Sequence, residues 1–204
     1  YRSLWRRLRD RRTHAHAGII RKAETLIAMA RQHWVFGYGS LMWQPDFPYV
    51  ERRPALLQGW HRAHALYSTL AWGSASRPGL ILTLVPGGEC LGSVFRVAPG
   101  HWWRTQGYLR RREAAYRHIQ VPVHTGQGIV PALTFAADPR HPRYIGKQPL
   151  AHGARLVAQG EGRKGTSRGY LAGTIGAIRA MGGQPEPALQ RLQARVDLIQ
   201  RNLP

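Results

Sequence analysis

Ten carboxylates stand against 30 Lys and Arg in this 204-residue chain, so a general base can be sought by elimination. Asp10 and Glu24 lie in the polar N-terminal region, Asp46 in a Pro-rich loop, and Glu51 at the start of a basic stretch. Asp138 sits between Ala137 and Pro139, and Glu161 between two glycines. Glu186 falls at a predicted helix N-terminus, where an acid is electrostatically favoured, and Asp197 on the polar face of that helix. Glu89 follows Gly87-Gly88, which reads as an exposed turn. Glu113 remains, at the end of a predicted helix that leads into a strand. Its neighbours Arg110, Arg111 and Arg112 also suit a plain surface ion pair, and the residue types alone leave both readings open.

A second stretch with chemical potential is Trp34-Val35-Phe36-Gly37-Tyr38-Gly39-Ser40-Leu41-Met42-Trp43. Trp34 to Phe36 predict a short buried strand, being apolar and β-branched or aromatic. Gly37 and Gly39 then free the backbone, including for positive φ, and such a turn can aim consecutive N–H groups at an anion or a carbonyl oxygen. An ordinary strand-to-loop turn explains the same residues. Ser40 lacks the Gly-x-Ser-x-Gly elbow of a hydrolase. The ten His show no Cys/His or His-Glu-x-x-His spacing for a metal, and His61 and His64 fall on opposite faces of a predicted strand. Gly160 to Thr166 lacks the spacing of a phosphate loop and predicts a loop between helices.

The elements that must carry these residues are short strands first and helices last, which predicts an α+β fold. After the opening strand, strands are predicted over 55–68, 80–85, 91–97, 116–124 and 129–136, with Gly87-Gly88 as a hairpin turn. Residues 102–112 predict a helix with Trp103, Gln106, Gly107 and Leu109 near its buried side. Helices follow over 150–159, around Leu171, Ile175 and Ile178, and through Leu189, Leu192, Val196 and Ile199 after Pro187. Thr166 or Ser167 can cap the second of these, and Gly182-Gly183 can end it. Upstream, Ile19, Ile20, Ala23, Leu26, Ile27 and Ala30 share one helical face. Residues 1–18 read as a peripheral basic segment and 19–204 as a single domain.

Composition sets the background. With 43% hydrophobic residues and seven Trp, the chain has ample material for a core. Its lone cysteine, Cys90, permits no internal disulfide, reads as a buried structural thiol, and fits a reducing cytoplasm. No apolar run approaches the ~18–20 residues that span a bilayer, so no membrane partner is expected. The Arg-rich start contains Asp10 and Glu24 and is not Ser-rich, which reads against a transit peptide. A first residue other than Met predicts a piece of a longer chain. The formal net charge of +20 allows weak nonspecific nucleic-acid binding, centred on Arg6, Arg7, Arg9, Arg11 and Arg12, and favours an anionic substrate.

The Phe36-to-Trp43 segment resembles the opening of the ChaC-type γ-glutamylcyclotransferases, and further stretches match that family in order. They include Leu57-Gln58-Gly59-Trp60-His61-Arg62, Arg77 to Leu82, Gly87 to Gly92, Phe95-Arg96-Val97 and Leu109 to Tyr116. Ala132 to Phe135, Tyr144-Ile145-Gly146, and Gly162 to Gly165 leading to Tyr170-Leu171 complete a similarity over roughly residues 33–200.

The resemblance implies a small mixed β-barrel-like sheet flanked by helices, acting on the γ-glutamyl group of glutathione without cofactor or metal. In that family the substrate's own α-amine attacks its γ-carbonyl carbon, which releases 5-oxoproline and, from glutathione, Cys-Gly. A single glutamate serves as base and then acid, and Glu113 falls at its place. Backbone N–H groups of Gly37, Tyr38, Gly39, Ser40 and Leu41 are then expected around the substrate, with Tyr144 and Arg62 as further substrate contacts. Two departures stand out: Ala71 to Ser76 replaces the usual Arg-Gly-Thr-Pro-Glu, and Gly169 replaces the acidic or polar residue usual before Tyr170. Both bear on the Cys-Gly half of the substrate. Other γ-glutamyl peptides or amines, or a non-catalytic binding role on the same fold, are the alternatives.

Overall fold

The computed structural model of the chain describes residues 32–202. The basic segment 1–18 and the helix expected over 19–30 lie outside them. Five strands close a barrel in the order β1-β3-β2-β4-β5, where β1 is His33–Gly37, β2 Glu51–Ser68, β3 Gly79–Val97, β4 Tyr116–Thr125 and β5 Gly128–Ala137. The sheet is mixed. Neighbours β2/β3 and β4/β5 run antiparallel, whereas β1 joins β5 in parallel through Trp34 opposite Ala132 and Val35 opposite Leu133. Among the described residues there are four helices: α1 Pro99–Arg112, α2 Leu150–Gln159, α3 Ser167–Ala180 and α4 Pro187–Arg201. This is the α+β barrel with flanking helices that the sequence implied.

The barrel fills with side chains from alternate strand positions. Phe36, Phe95 and Phe135 are fully buried beside Leu57, Leu80, Leu82 and Leu84. Each such side chain contributes about 1.5–3 kcal/mol on burial. The helical stripes hold as expected: Leu171, Ile175 and Ile178 are buried on α3, and Leu189, Leu192 and Val196 on α4. The Thr166 hydroxyl caps α3 by accepting from the Gly169 N–H at 3.0 Å. Gly182, at φ 77°, ends that helix as its neighbour Gly183 donates back to the Ile178 carbonyl.

Two local expectations fail. Gly87-Gly88 is not a hairpin turn: β3 runs straight through it while staying paired with β2, from Glu51 opposite Arg96 to Ser68 opposite Gly79. The register shifts between Gln58 and Trp60, where Gly59, Gly87 and Gly88 all take positive φ. The glycines therefore form a bulge that bends one long hairpin. On α1, Trp103 is 82% exposed, and Thr105 and Leu109 are the buried residues. Their spacing of four defines the inward face and turns Trp103 away from it.

Candidate active site

β1 delivers the glycine-containing turn to one end of the barrel. The Tyr38 hydroxyl donates to the Phe135 carbonyl at 2.6 Å, which ties the turn to β5. A single 3-10 turn, Ser40–Met42, follows, closed by the Met42 N–H on the Gly39 carbonyl at 2.9 Å. The leading N–H groups of such a turn have no carbonyl within it to bond. Neither Gly37 nor Gly39 uses positive φ, contrary to expectation; Gly39 sits at φ −128°. Their need for glycine is steric. A Cβ on Gly37 would stand 2.7 Å from the Leu41 Cβ, and one on Gly39 would overlap the Tyr170 hydroxyl.

Glu113 caps the C-terminus of α1, its N–H donating to the Leu109 carbonyl at 2.8 Å. Its side chain is only 12% exposed, and its Oε1 lies 3.1 Å from the Arg112 Nε. Burial pushes the carboxyl above the ordinary carboxylate range, while Arg112 and Lys164 pull it partway back. Arg112 also fastens the glycine turn. Its Nη2 donates to Ser40 Oγ at 3.0 Å, and its Nη1 reaches the Gln44 carbonyl at 2.8 Å and Asp46 Oδ2 at 3.2 Å. Asp46 takes Lys164 Nζ at 3.0 Å as well. Burial raises the Asp46 carboxyl, but the two cations outweigh that and hold it below its usual value.

The turn and Glu113 face one cavity of about 440 Å³, within the usual ~300–1,000 Å³ of small-molecule sites. Tyr38, Tyr116 and Tyr170 line it, and burial raises all three phenols. Leu82 anchors two of them, since its carbonyl accepts from Tyr116 at 2.9 Å and its N–H points to the Tyr170 oxygen at 3.4 Å. Trp72 packs edge-on against Trp43 at 5.5 Å, and tilted against Tyr170 at the same distance. Ala71 and Trp72 line the cavity, so the first departure from the family pattern falls on its wall.

Of the residues singled out in the sequence, Tyr38, Gly39, Ser40, Leu41 and Glu113 meet around this cavity. Gly37 lies behind the turn and is not part of the wall. Tyr144 is not part of it either; its backbone bridges Leu66 and its N–H donates to the His141 carbonyl at 2.8 Å. Arg62 is absent from the wall for a clear reason. Its fully buried guanidinium pairs with Glu186 at 3.0 Å and donates to the Leu91 carbonyl and to Cys90 Sγ.

Sequence reasoning missed Arg111, Arg112, Arg143 and Lys164, four cations on the wall. Gly160 to Thr166 is not a plain loop. It holds a two-stranded hairpin, β6 Glu161–Gly162 and β7 Gly165–Thr166. At its tip, the Arg163 and Lys164 N–H groups donate to the Leu70 and Ala71 carbonyls, which brings Lys164 to the cavity. The Gly-Arg-Lys-Gly spacing was the available signal for such a turn.

A family model described as "ChaC-like protein" matches residues 33–198. The chain is 33% identical over 175 residues to the glutathione-specific gamma-glutamylcyclotransferase of Escherichia coli K12, covering 84% of this chain and 76% of that one. It is 31% identical over 179 residues to the human glutathione-specific gamma-glutamylcyclotransferase 1, covering 84% and 80% of the two chains. In structure it is similar to the yeast gamma-glutamyl cyclotransferase specific to glutathione. The TM-score is 0.78 at 22% identity, over 82% of this chain and 96% of that one, which shows a shared fold.

Proposed function

As this chain belongs to the ChaC-like family, we propose that it is a γ-glutamylcyclotransferase that cyclises the γ-glutamyl group of glutathione into 5-oxoproline and releases Cys-Gly. The observation that carries this reading is the Glu113 carboxylate. It is nearly buried, raised in pKa by that burial, and faces the same cavity as the Tyr38–Leu41 turn. A carboxylate tuned upward accepts a proton from an ammonium group more readily than an ordinary one.

The reaction needs little beyond positioning, because nucleophile and electrophile belong to one molecule. Glu113 removes a proton from the substrate α-ammonium group. The freed nitrogen attacks the γ-carbonyl carbon and closes a five-membered ring. The tetrahedral oxyanion takes hydrogen bonds from backbone N–H groups of the turn. The ring nitrogen gives up its second proton to solvent, and the bond from the γ-carbon to the leaving nitrogen breaks as Glu113 returns its proton to that nitrogen, leaving a neutral lactam and a free amine. Arg112 keeps Glu113 and the turn in register throughout, because it holds both.

Cys90 is the one cysteine of the sequence and a fully buried, inert thiol, so no internal disulfide forms, which supports a reducing, cytoplasmic setting. Among the described residues, no helix is long and apolar enough to cross a membrane. Purified protein incubated with glutathione should yield 5-oxoproline and Cys-Gly in equal amounts. Absence of 5-oxoproline from a folded sample would sink the reading.

A further inference from the structure

Four cations line the cavity, Arg111, Arg112, Arg143 and Lys164, against the single carboxylate Glu113. Two of the four are held by carboxylates and a third is solvated. Arg112 is held by Glu113, Asp46 and Ser40, and Lys164 by Asp46. Arg111 is exposed, and its Nη1 would stand 3.7 Å from a Cβ on Gly107, one turn back on α1.

Arg143 differs. It is half-buried, and no carboxylate among the described residues lies within ion-pair reach of it. Its backbone is nevertheless tied down. The Arg143 carbonyl accepts from the Tyr67 N–H at 2.9 Å, and its own N–H donates to His141 Nδ1 at 3.2 Å. Its charge acts on the buried Tyr116 phenol in the cavity wall and draws that group's pKa down against burial. A cation partly withdrawn from water without a counter-charge is costly, and a bound anion relieves that cost. A guanidinium fork on an anchored backbone suits a carboxylate, which it can grip through two parallel hydrogen bonds.

We propose that Arg143 is a specificity-determining residue that holds the carboxylate at the leaving end of the substrate, so that γ-glutamyl peptides ending in a carboxylate are preferred over γ-glutamyl amines and amides. This rests on the function proposed above. Glu113 takes the α-ammonium group and the N–H groups of the glycine turn take the γ-carbonyl oxygen and the α-carboxylate, which leaves the terminal glycyl carboxylate as the second anion to be recognised.

The test compares two substrates: glutathione, and its analogue in which the glycyl carboxylate is a carboxamide of nearly the same shape. A charge-assisted hydrogen bond contributes ~1.5–3 kcal/mol, so the parent protein should favour the acid by about 10- to 100-fold in kcat/KM. Arg143→Gln should lose that factor on glutathione, mainly through KM, and keep its rate on the carboxamide. Arg143→Lys should recover part of the preference, because it restores charge without the fork. An unchanged acid-to-amide ratio in Arg143→Gln, whether both rates fall or neither does, would overturn the inference while leaving the cyclisation intact. A parent protein that produces 5-oxoproline from neither substrate would overturn the proposed function itself, and this inference with it.

Discussion

Glu113 and Arg62 are both charged side chains pressed against the barrel, and they meet opposite fates. The Glu113 side chain keeps 12% of its surface, opens on the cavity, and has its pKa raised. The Arg62 side chain keeps none. Its guanidinium is enclosed by Glu186 at the N-cap of α4, the Leu91 carbonyl and the Cys90 sulfur. One buried charge retains a path to small molecules, and the other joins β2, β3 and α4. The difference lies in what surrounds each charge, since burial alone describes both.

The comparison breaks most readily at Glu113. Glu113→Gln should lower turnover by about 10²–10⁴-fold, the usual worth of a general acid–base group, with the fold and glutathione binding kept. Near-normal turnover would end its role as base. The same substitution should also affect stability. Because burial raises the carboxyl in the folded state, the stability it confers is full below the unfolded carboxylate pKa of ~4.3 and fades as pH climbs through the folded value. The Gln variant should therefore melt higher than the parent at neutral pH, and the gap should close near pH ~4. In the parent, kcat/KM should fall on acidification at a pH above the ordinary glutamate range.

The turn beside Glu113 sharpens the contrast. Gly39→Val drives side-chain atoms into the Tyr170 hydroxyl and should cost about 10²–10³ in rate, as loss of an oxyanion donor does. Ser40→Ala removes one hydrogen bond from Arg112 and keeps the backbone N–H, so a defect below about tenfold is expected. The reverse ranking in steady-state kinetics would make the hydroxyl the working group.

On the other side of the comparison, Arg62→Met should leave kcat/KM within about threefold and lower unfolding free energy by about 1–3 kcal/mol in urea. That is less than a fully sealed ion pair would lose, because Glu186 retains 32% exposure. Activity lost from a fully folded Arg62→Met would return Arg62 to the active site. An effect that is small near neutral pH concerns its neighbour His64, whose pKa burial, aided by Arg62, lowers to about 3. The folded protein refuses a proton that the unfolded chain accepts below ~6.5, so stability should drop as pH falls through that window. The loss reaches about 1 kcal/mol near pH ~6, and His64→Phe should flatten it in melts across pH.

Helices were the most legible part of the chain, because the spacing of Leu171, Ile175 and Ile178, or of Leu189, Leu192 and Val196, registers the core directly. Gly87-Gly88 misled because a bulge and a turn want the same residues, and only the partner strand 26 to 31 positions away decides between them. Glu113 was reachable because acids are scarce and a family pattern marked its position. Arg111, Arg112, Arg143 and Lys164 were hidden by abundance: in a chain with 30 Lys and Arg, composition cannot tell a wall residue from a solvated one. Arg62 and Tyr144 lay within matching stretches, but strand pairing and an ion pair account for both.

The parallel seam between β1 and β5 has a consequence in time. Trp34 meets Ala132 across nearly a hundred residues, and the cavity then waits for Lys164 and Tyr170 to complete its wall. Pairings this distant in sequence close slowly, since chain entropy must be lost before any contact offsets it. A nascent chain emerging from the ribosome would thus carry Glu113 well before it had a pocket to serve. Competence should come late and abruptly, once the segment through α3 has been made.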